Sequence, residues 1–411
     1  MILLANRIDA ESLRASIASR IGHALPMRLR LTDIDGELWW AAEPEVDLDA
    51  HVVVDDDEPL DAAGLRSAVA SAFARRLDRS RPLWRIELVP RLTQGGSALI
   101  WSFHHAVADG STMMDVAMAA LWDEAPSTGT PAAGPSAAGP PAAGRSAAPA
   151  PRPKPGPRAG RPLGGLRAAA RETPHPWLRS PFDGNIDAQR SVALVSVPFD
   201  AMRQAARATG GATVNDAVLT VVAGGLRRWL ELHNGHLGSV RVKVPVSLHG
   251  IAPSGNGSDE LGNRDSFFCV DLPLSPADPL QRLRAIHRAT RVRKESHDAE
   301  QLDALMRRLG HVPQLRRFAE RVLTSPRSFA VTVSNVRGPK HPVDVLGARV
   351  SELYSLAEIR ERHALRIAVV SLGERLNFGL TADPTLLPDI DQLADQIQAD
   401  ASELAARIQY P

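Results

Sequence analysis

Apolar residues recur along the first part of the chain in two kinds of pattern. A four-residue spacing predicts amphipathic helices over residues 10–24, with Asp9 as the N-cap, and over residues 61–77. Two strand-like runs, WRIELV at 84–89 and SALIWSF at 97–103, are typical of strands joined by a hairpin. These elements predict a lobe in which helices pack on a sheet.

The second part of the chain repeats this mixture. Strands are predicted over residues 191–199, 240–248, 267–274, 329–336, 365–372 and 375–381. Helices are predicted over 214–232, where Thr213 can be the N-cap, over 278–294, in the interval from there to 322, and over 386–408. Because both kinds of element occur in both parts of the chain, we expect an α/β protein of two lobes.

Residues 126–162 interrupt these patterns. They contain eleven prolines, five basic residues and no acidic residue, and alanine and glycine make up most of the rest. This composition cannot form a core and is typical of a flexible, partly polyproline-like linker. We therefore predict an N-terminal lobe at 1–125, a disordered linker at 126–162 and a C-terminal lobe at 163–411.

The overall composition is that of a globular protein, since 44% of the 411 residues are hydrophobic and 23% are charged. A formal net charge of +1 gives no reason to expect nucleic acid as a partner. The single cysteine, Cys269, can form no intramolecular disulfide and fits a reducing compartment. No apolar stretch approaches the ~20 residues that a membrane span needs, so we expect a cytoplasmic protein, peripheral on a membrane at most.

The sequence HHAVADG follows the strand predicted at 97–103 and places His104 and His105 shortly before Asp109 and Gly110. Both imidazoles could be satisfied core groups, although neighbours in a strand point to opposite faces and cannot share one pocket. A metal site is disfavoured because no third ligand with recognisable spacing is nearby. A serine or cysteine nucleophile is disfavoured because the chain has no G-x-S-x-G elbow and its cysteine lies in a strand-like run.

A fourth interpretation makes one histidine a general base that faces a cleft, while its neighbour and Asp109 fix the turn. A neutral imidazole can take a proton from a hydroxyl or an amine and return it to a leaving group. Gly110 would let a substrate approach the backbone closely. The amides at the start of the helix predicted over 111–122 could then face a developing oxyanion.

HHAVADG resembles the HHxxxDG motif shared by chloramphenicol acetyltransferase, peptide-synthetase condensation domains and plant acyltransferases. Further stretches resemble one branch, the bacterial wax ester synthase/acyl-CoA:diacylglycerol acyltransferase family, and occur in that family's order. They are DLDAHV (47–52), RLDRSRPLW (76–84), GATVNDAVLTVVAGGLRRWL (211–230), VPVSL (244–248), LGNR (261–264) and SNVRGP (334–339). The resemblance covers the chain from about residue 10 to the C-terminus, apart from the linker.

This resemblance implies two chloramphenicol acetyltransferase-like lobes, each a mixed sheet packed with helices, with the motif histidine in a tunnel between them. It also implies transfer of a fatty acyl group from acyl-CoA, as co-substrate, to diacylglycerol or a long-chain alcohol, with no bound cofactor and no metal. His105, the second histidine of the motif, is then the general base, and His104, Asp109 and Gly110 support it.

Other candidate residues lie in the family-like stretches, and most of them also have a structural interpretation. Asn215 and Asp216 suit the first turn of a predicted helix, and the resemblance also places them at the lobe interface. Arg264 is a candidate ion partner of Asp109. Two groups combine packing or turn chemistry with a candidate role in substrate binding: Pro82, Leu83 and Trp84 at a strand start, and Ser334 and Asn335 at a strand end.

Two departures from the family pattern leave other functions open. Met1 comes almost directly before the first predicted helix, so we expect part of the first strand and of the tunnel wall to be missing. Arg337 stands where the family usually has proline. The alternatives are a tailoring acyltransferase for a polar alcohol or amine, and a non-catalytic binding protein. Apolar substrates would draw the protein to the inner face of the plasma membrane or to a lipid droplet.

Overall fold

A computed structural model describes residues 1–55, 58–123, 162–172, 180–233, 235, 237–248, 265–309, 313–360 and 362–409. The predicted linker, apart from its last residue, lies outside the described residues. The strands are β1 (Ile2–Leu4), β2 (Leu29–Ile34), β3 (Glu37–Ala42), β4 (Val52–Val54), β5 (Trp84–Val89), β6 (Ser97–Phe103), β7 (Ser191–Pro198), β8 (Ser239–Ser247), β9 (Asp265–Pro273), β10 (Val331–Val336), β11 (Asp344–Val345), β12 (Ala348–Leu353), β13 (Leu365–Leu372) and β14 (Arg375–Ala382). The α-helices are α1 (Ala10–Arg20), α2 (Leu48–His51), α3 (Ala62–Ala74), α4 (Gly110–Ala120), α5 (Pro162–Arg171), α6 (Phe199–Ala208), α7 (Val214–Leu232), α8 (Pro279–Glu295), α9 (Asp298–Leu309), α10 (Pro313–Leu323) and α11 (Ile390–Gln409).

The first sheet has six strands in the order β11-β12-β1-β6-β5-β4. Its strand β1 lies in the middle, where Ile2 pairs with Leu99 on one side and with Leu353 on the other. Strands β5 and β6 are antiparallel, and Trp84 pairs with Phe103, so the start of β5 lies beside the end of β6. The sheet is mixed because β4 runs parallel to β5.

Strands β11 and β12, which span residues 344–353, complete the first sheet although they follow the linker in sequence. The predicted boundary at the linker assigned them to the C-terminal lobe, whereas their backbone groups pair with the open edge of β1. Buried Asn377 of β14 donates from Nδ2 to the carbonyl of Leu353 at 2.9 Å. We call residues 344–353 the crossing segment, and this hydrogen bond joins it to the second sheet.

The second sheet has the order β7-β14-β13-β10-β8-β9, with β10 parallel to β8 and β13 and the other pairs antiparallel. Helix α7 is buried along most of its length and contacts α8 and α11. The carboxylate of Asp400 on α11 accepts two hydrogen bonds of 2.6 Å from Arg282 on α8. Gly224 on α7 makes room for this carboxylate, since a Cβ atom there would lie 2.0 Å from its carbon.

The α/β prediction with two helix-packed mixed sheets is confirmed. The strands predicted over 84–89, 97–103 and 365–372 and helix α7 have the predicted bounds, and Asp9 and Thr213 are N-caps. The helix predicted over 10–24 ends at Arg20, because the chain tightens there into 3₁₀ turns.

Several short elements were not predicted from the sequence. Strands β2 and β3 form a separate two-stranded hairpin, and helices α5 and α6 lie in the sequence before and after β7. The first strand, expected to be partly missing, contributes residues 2–4 and pairs on both sides. Among the described residues, no helix is both long and apolar enough to cross a bilayer.

Candidate active site

The two motif histidines lie in the turn between β6 and α4. The backbone N–H of His104 donates to the carbonyl of Leu83 at 2.9 Å and fixes the end of β6 against the start of β5. The N–H of Val107 donates to the carbonyl of His104, also at 2.9 Å, and closes the turn. Because both histidines follow the last residue of the strand, the alternation of strand faces does not govern their directions.

Asp109 is fully buried and is the N-cap of α4. Its Oδ1 accepts hydrogen bonds from the N–H of Thr112 and from the hydroxyl of Ser111, both at 2.8 Å. The positive end of the helix also stabilises its negative charge. Asp109 therefore holds the turn in place. The predicted ion partner, Arg264, lies outside the described residues.

His105 is half-buried, whereas His104 is exposed. The carbonyl of Ala108 lies 3.2 Å from Nδ1 of His105 and can only accept, so the neutral ring carries its proton on Nδ1 and its lone pair on Nε2. His104 has the opposite arrangement, because its Nδ1 accepts from the N–H of Ala106 at 3.1 Å. The backbone of the turn thus holds His105 in a tautomer whose Nε2 can take up a proton.

The surroundings of His105 favour the neutral ring. Burial lowers the pKa of His105 below 6.5, and the charges of Arg366 and Arg360 lower that pKa further. The hydrogen bond to Ala108 and the carboxylate of Asp109 act in the opposite direction and are outweighed. A ring whose pKa lies below 6.5 is mostly neutral at pH 7, which is the form that a general base needs.

The arginines around the histidines were not singled out from the sequence. Arg366 lies on β13 and Arg360 in the loop before it, and Arg360 and Arg79 also lower the pKa of His104, after the effect of burial. A usable signal was present at Arg366, since it is the one charged residue in the buried strand sequence LRIAVVSL. A charged residue is rarely found in a buried strand unless it is paired or has a function.

Gly110 and Ser111 lie where the first lobe meets the second. A Cβ atom at position 110 would come within 2.6 Å of Cγ2 of Val336, the last residue of β10. The hydroxyl of Ser111 lies 3.3 Å from that of Ser247, the last residue of β8. The start of α4 therefore packs against the carboxyl ends of two parallel strands of the second sheet, and any residue larger than glycine would push on Val336.

Pro82, Leu83 and Trp84 are buried beneath the motif turn. Trp84 stacks on the ring of His51, with the ring centroids 4.3 Å apart, and donates from Nε1 to the carbonyl of Met27 at 2.7 Å. Together with the bond from the turn to Leu83, these contacts make the segment a support for the turn.

Asp216 is fully buried and joins two helices. It forms a capping box with Thr213 at the start of α7, which confirms the predicted capping role. Its carboxylate also accepts from the hydroxyl of Thr290 at 2.7 Å and lies 3.1 Å from Nδ1 of His287, both on α8. Burial acts to raise the pKa of Asp216, but these hydrogen bonds outweigh it and lower the pKa.

Asn215, Ser334 and Asn335 lie close to the seam between the lobes. Nδ2 of Asn335 is 3.5 Å from Oδ1 of Asn215, which joins the end of β10 to the start of α7. Ser334 and Asn335 directly precede Val336, the residue that meets Gly110. The end of β10, the start of α7 and the motif turn therefore lie together at the seam.

Cys269 is buried on β9, and burial raises the pKa of its thiol to about 12. The thiol therefore stays protonated, which confirms that it is packed and inert rather than a nucleophile. The described residues contain no group of three side chains suited to hold a metal ion.

Two family models match the chain over most of its length. A model of the wax ester synthase/diacylglycerol acyltransferase catalytic domain matches residues 4–218, which include the motif turn, and a model of the WS/DGAT C-terminal domain matches residues 261–405. The chain belongs to the WS/DGAT family. It is accordingly an acyltransferase, and the turn described above lies in the part of it that matches the family's catalytic domain.

Mycobacterial WS/DGAT relatives are similar over nearly the whole chain. The protein tgs1 of Mycobacterium tuberculosis H37Rv, named a probable diacylglycerol O-acyltransferase, is 30% identical over 97% of this chain and 88% of its own length. Mb0919 of Mycobacterium bovis, provisionally named a diacylglycerol O-acyltransferase, is 32% identical over 88% of this chain and 76% of its own length.

Solved structures show the same fold. The wax ester synthase/diacylglycerol acyltransferase of Marinobacter aquaeolei VT8 matches with a TM-score of 0.68 at 21% identity, over 99% of this chain and 93% of that one. The first condensation domain of the calcium-dependent antibiotic synthetase matches with a TM-score of 0.58 at 17% identity, over 98% and 90% of the two chains. The two-lobed fold of WS/DGAT and condensation domains is thus the fold of this protein.

Proposed function

We propose that this WS/DGAT protein transfers a fatty acyl group from acyl-CoA to the hydroxyl of diacylglycerol or of a long-chain alcohol. The observation that carries the proposal is the neutral ring of His105, half-buried next to the lobe seam and fixed through Nδ1 to the carbonyl of Ala108. The names of two relatives support these acceptors, since tgs1 is named for diacylglycerol and the Marinobacter enzyme for both products.

In the proposed reaction, Nε2 of His105 takes the proton of the acceptor hydroxyl as the oxygen attacks the thioester carbonyl. The carbonyl becomes a tetrahedral oxyanion. When it collapses, the C–S bond breaks and the ester forms, and the imidazolium returns the proton to the CoA sulfur. The transfer is direct, so it needs no acyl-enzyme, no bound cofactor and no metal. A general base of this kind contributes about 10²–10⁴-fold to the rate.

Two features near the ring could stabilise the oxyanion. Helix α4 begins at Gly110, directly after the motif turn, and the amides of a helix start carry partial positive charge. Arg366 and Arg360 are close enough to lower the pKa of His105, so their positive charge also acts on a carbonyl bound beside the ring.

Both proposed acceptors are apolar, so we expect the enzyme to collect them from the inner face of the plasma membrane or from a lipid droplet, as a peripheral protein.

Product identification tests this function. Purified protein is incubated with labelled palmitoyl-CoA and a mixture of diacylglycerol, hexadecanol and polar alcohols and amines, and the products are identified by mass. We expect labelled triacylglycerol, wax ester or both, together with one free CoA for each ester. Acylation of a polar alcohol or amine while both lipids are ignored would favour the tailoring function and contradict the lipid proposal.

A further inference from the structure

Helix α10 presents apolar and cationic side chains to solvent side by side. We define the α10 face as Leu315, Arg317, Phe318 and Arg321. Leu315 is 51% and Phe318 67% exposed, and both arginines are also exposed. Leu315 and Phe318 are three residues apart and the two arginines four apart, so each pair forms one row along the helix. Large apolar residues in a row on a surface helix mark a binding surface more than single ones do.

The surroundings of the α10 face are strongly basic, although the whole chain has a net charge of only +1. Residues 313–327 contain one acidic residue, Glu320, and four basic ones: Arg316, Arg317, Arg321 and Arg327. Among the described residues, no carboxylate lies within 4 Å of the guanidinium of Arg317 or of Arg321. Their charge is therefore available to an anionic partner.

The α10 face is connected to the candidate active site through one loop. The carbonyl of Thr324, directly after α10, accepts from Nε2 of His363 at 3.0 Å. His363 is three residues from Arg360, whose charge acts on both motif histidines. An open depression of about 570 Å³, lined by Arg321 and Arg362 among others, lies between this loop and the end of α10. A surface bound at α10 would thus lie one loop away from the reactive turn.

A second exposed apolar surface makes a useful contrast. The hairpin of β2 and β3 exposes Leu38, Trp39 and Trp40 at 65%, 54% and 40%. Its tip carries Asp33 and Asp35. An anionic surface would repel these acids, whereas it would attract the arginines of the α10 face.

We propose that the α10 face docks this enzyme onto an anionic lipid surface, with Leu315 and Phe318 inserted among the headgroups and Arg317 and Arg321 against lipid phosphates. The inference rests on the proposed function, since a lipid acceptor has to be taken from such a surface. An amphipathic helix with apolar residues beside basic ones binds in the plane of an interface in this way.

The test is sedimentation of the full-length protein with two kinds of vesicle. One contains phosphatidylcholine alone, and the other contains roughly 30 mol% phosphatidylglycerol as well. We expect binding to the anionic vesicles and little to the neutral ones. The double variant Arg317→Gln/Arg321→Gln should bind anionic vesicles ~30-fold more weakly. The double variant Leu315→Ser/Phe318→Ser should bind them at least ~10-fold more weakly. The hairpin variant Trp39→Ser/Trp40→Ser, the matched control, should bind like the unchanged protein.

Three results would each overturn the docking proposal. The hairpin variant loses binding instead of the α10 variants, the α10 variants bind as well as the unchanged protein, or the unchanged protein does not bind anionic vesicles. A separate assay keeps this result distinct from the proposed function: octanoyl transfer to monomeric decanol, without vesicles, should be equal in the unchanged protein and all variants. If that transfer is present while vesicle binding is absent, the docking proposal fails and the acyltransfer proposal stands.

Discussion

The two six-stranded sheets of this protein are completed in different ways. Every strand of the second sheet lies within residues 191–382 and has six to nine residues. The first sheet contains strands of two and three residues and takes two of its strands, β11 and β12, from the far side of the linker. We call the second lobe the frame, because it has a sheet and a core of its own. The first lobe depends on the same part of the chain for its edge strands, β11 and β12.

This difference extends to the chemistry of the site. The turn with His105 belongs to the first sheet. Burial lowers the pKa of His105 most, and Arg366 and Arg360, which lower it further, come from the part of the chain that forms the second lobe. The seam contact of Gly110 with Val336 also joins the two lobes. Charges of the opposite lobe therefore act on the His105 ring, so a change in the second lobe should alter the pKa of this histidine.

The largest expected effect is on the frame itself. Asp400→Asn should destabilise the protein by about 3–5 kcal/mol, because it leaves the buried charge of Arg282 without its carboxylate. Urea unfolding measures this free energy. The matched control is Glu403→Gln on the same helix, where the pair with Arg228 is partly exposed and should contribute less than ~1 kcal/mol. Equal effects of the two substitutions would show that the buried pair does not hold the frame.

A smaller effect is expected where the frame supports the first sheet. Asn377→Leu removes the donor to the carbonyl of Leu353 and should cost about 1–3 kcal/mol of unfolding free energy. Ser196→Ala removes the 2.6 Å hydrogen bond from the serine to Asn377 and an exposed one that the serine accepts from Arg375, leaves the bond to Leu353 in place, and should cost less. If Ser196→Ala costs as much as Asn377→Leu, the crossing segment is held by other contacts.

The smallest effect concerns the tuning across the seam. Removing the cation in Arg366→Gln should raise the pKa of His105, so the acidic limb of the pH profile of kcat/KM should move to higher pH. The direction follows because the base acts only when deprotonated. Arg362→Gln, in the loop before β13 and paired with Asp183, is the control and should leave the profile in place. A limb that moves to lower pH or stays fixed in Arg366→Gln would contradict tuning by the opposite lobe.

Elements whose signal is local in the sequence could be predicted, whereas elements that depend on pairing between distant segments could not. Helix α7 has a capping box at Thr213 and a long apolar run, so both of its ends could be predicted. Strands β1 and β11 have three and two residues, too few for a period. The pairing of β1 with β12 also joins segments some 350 residues apart, such as Ile2 and Leu353.

The same distinction applies to the candidate site. The turn and its histidines are contiguous in HHAVADG and could be identified by motif. The arginines of the opposite lobe could not, because nothing local to Arg360 indicates which histidine it will approach. Gly110 was expected to let a substrate approach the backbone, and the structure adds a packing reason for glycine there, the contact with Val336, which only the assembled lobes reveal.

We propose that His105, and not its neighbour His104, is the base in acyl transfer. The most direct measurement compares kcat/KM for palmitoyl-CoA in His105→Ala and His104→Ala, with circular dichroism confirming that both variants fold. We expect a loss of about 10²–10⁴-fold in His105→Ala and of less than about tenfold in His104→Ala. Undiminished turnover in His105→Ala, or an equal loss in both variants, would contradict it.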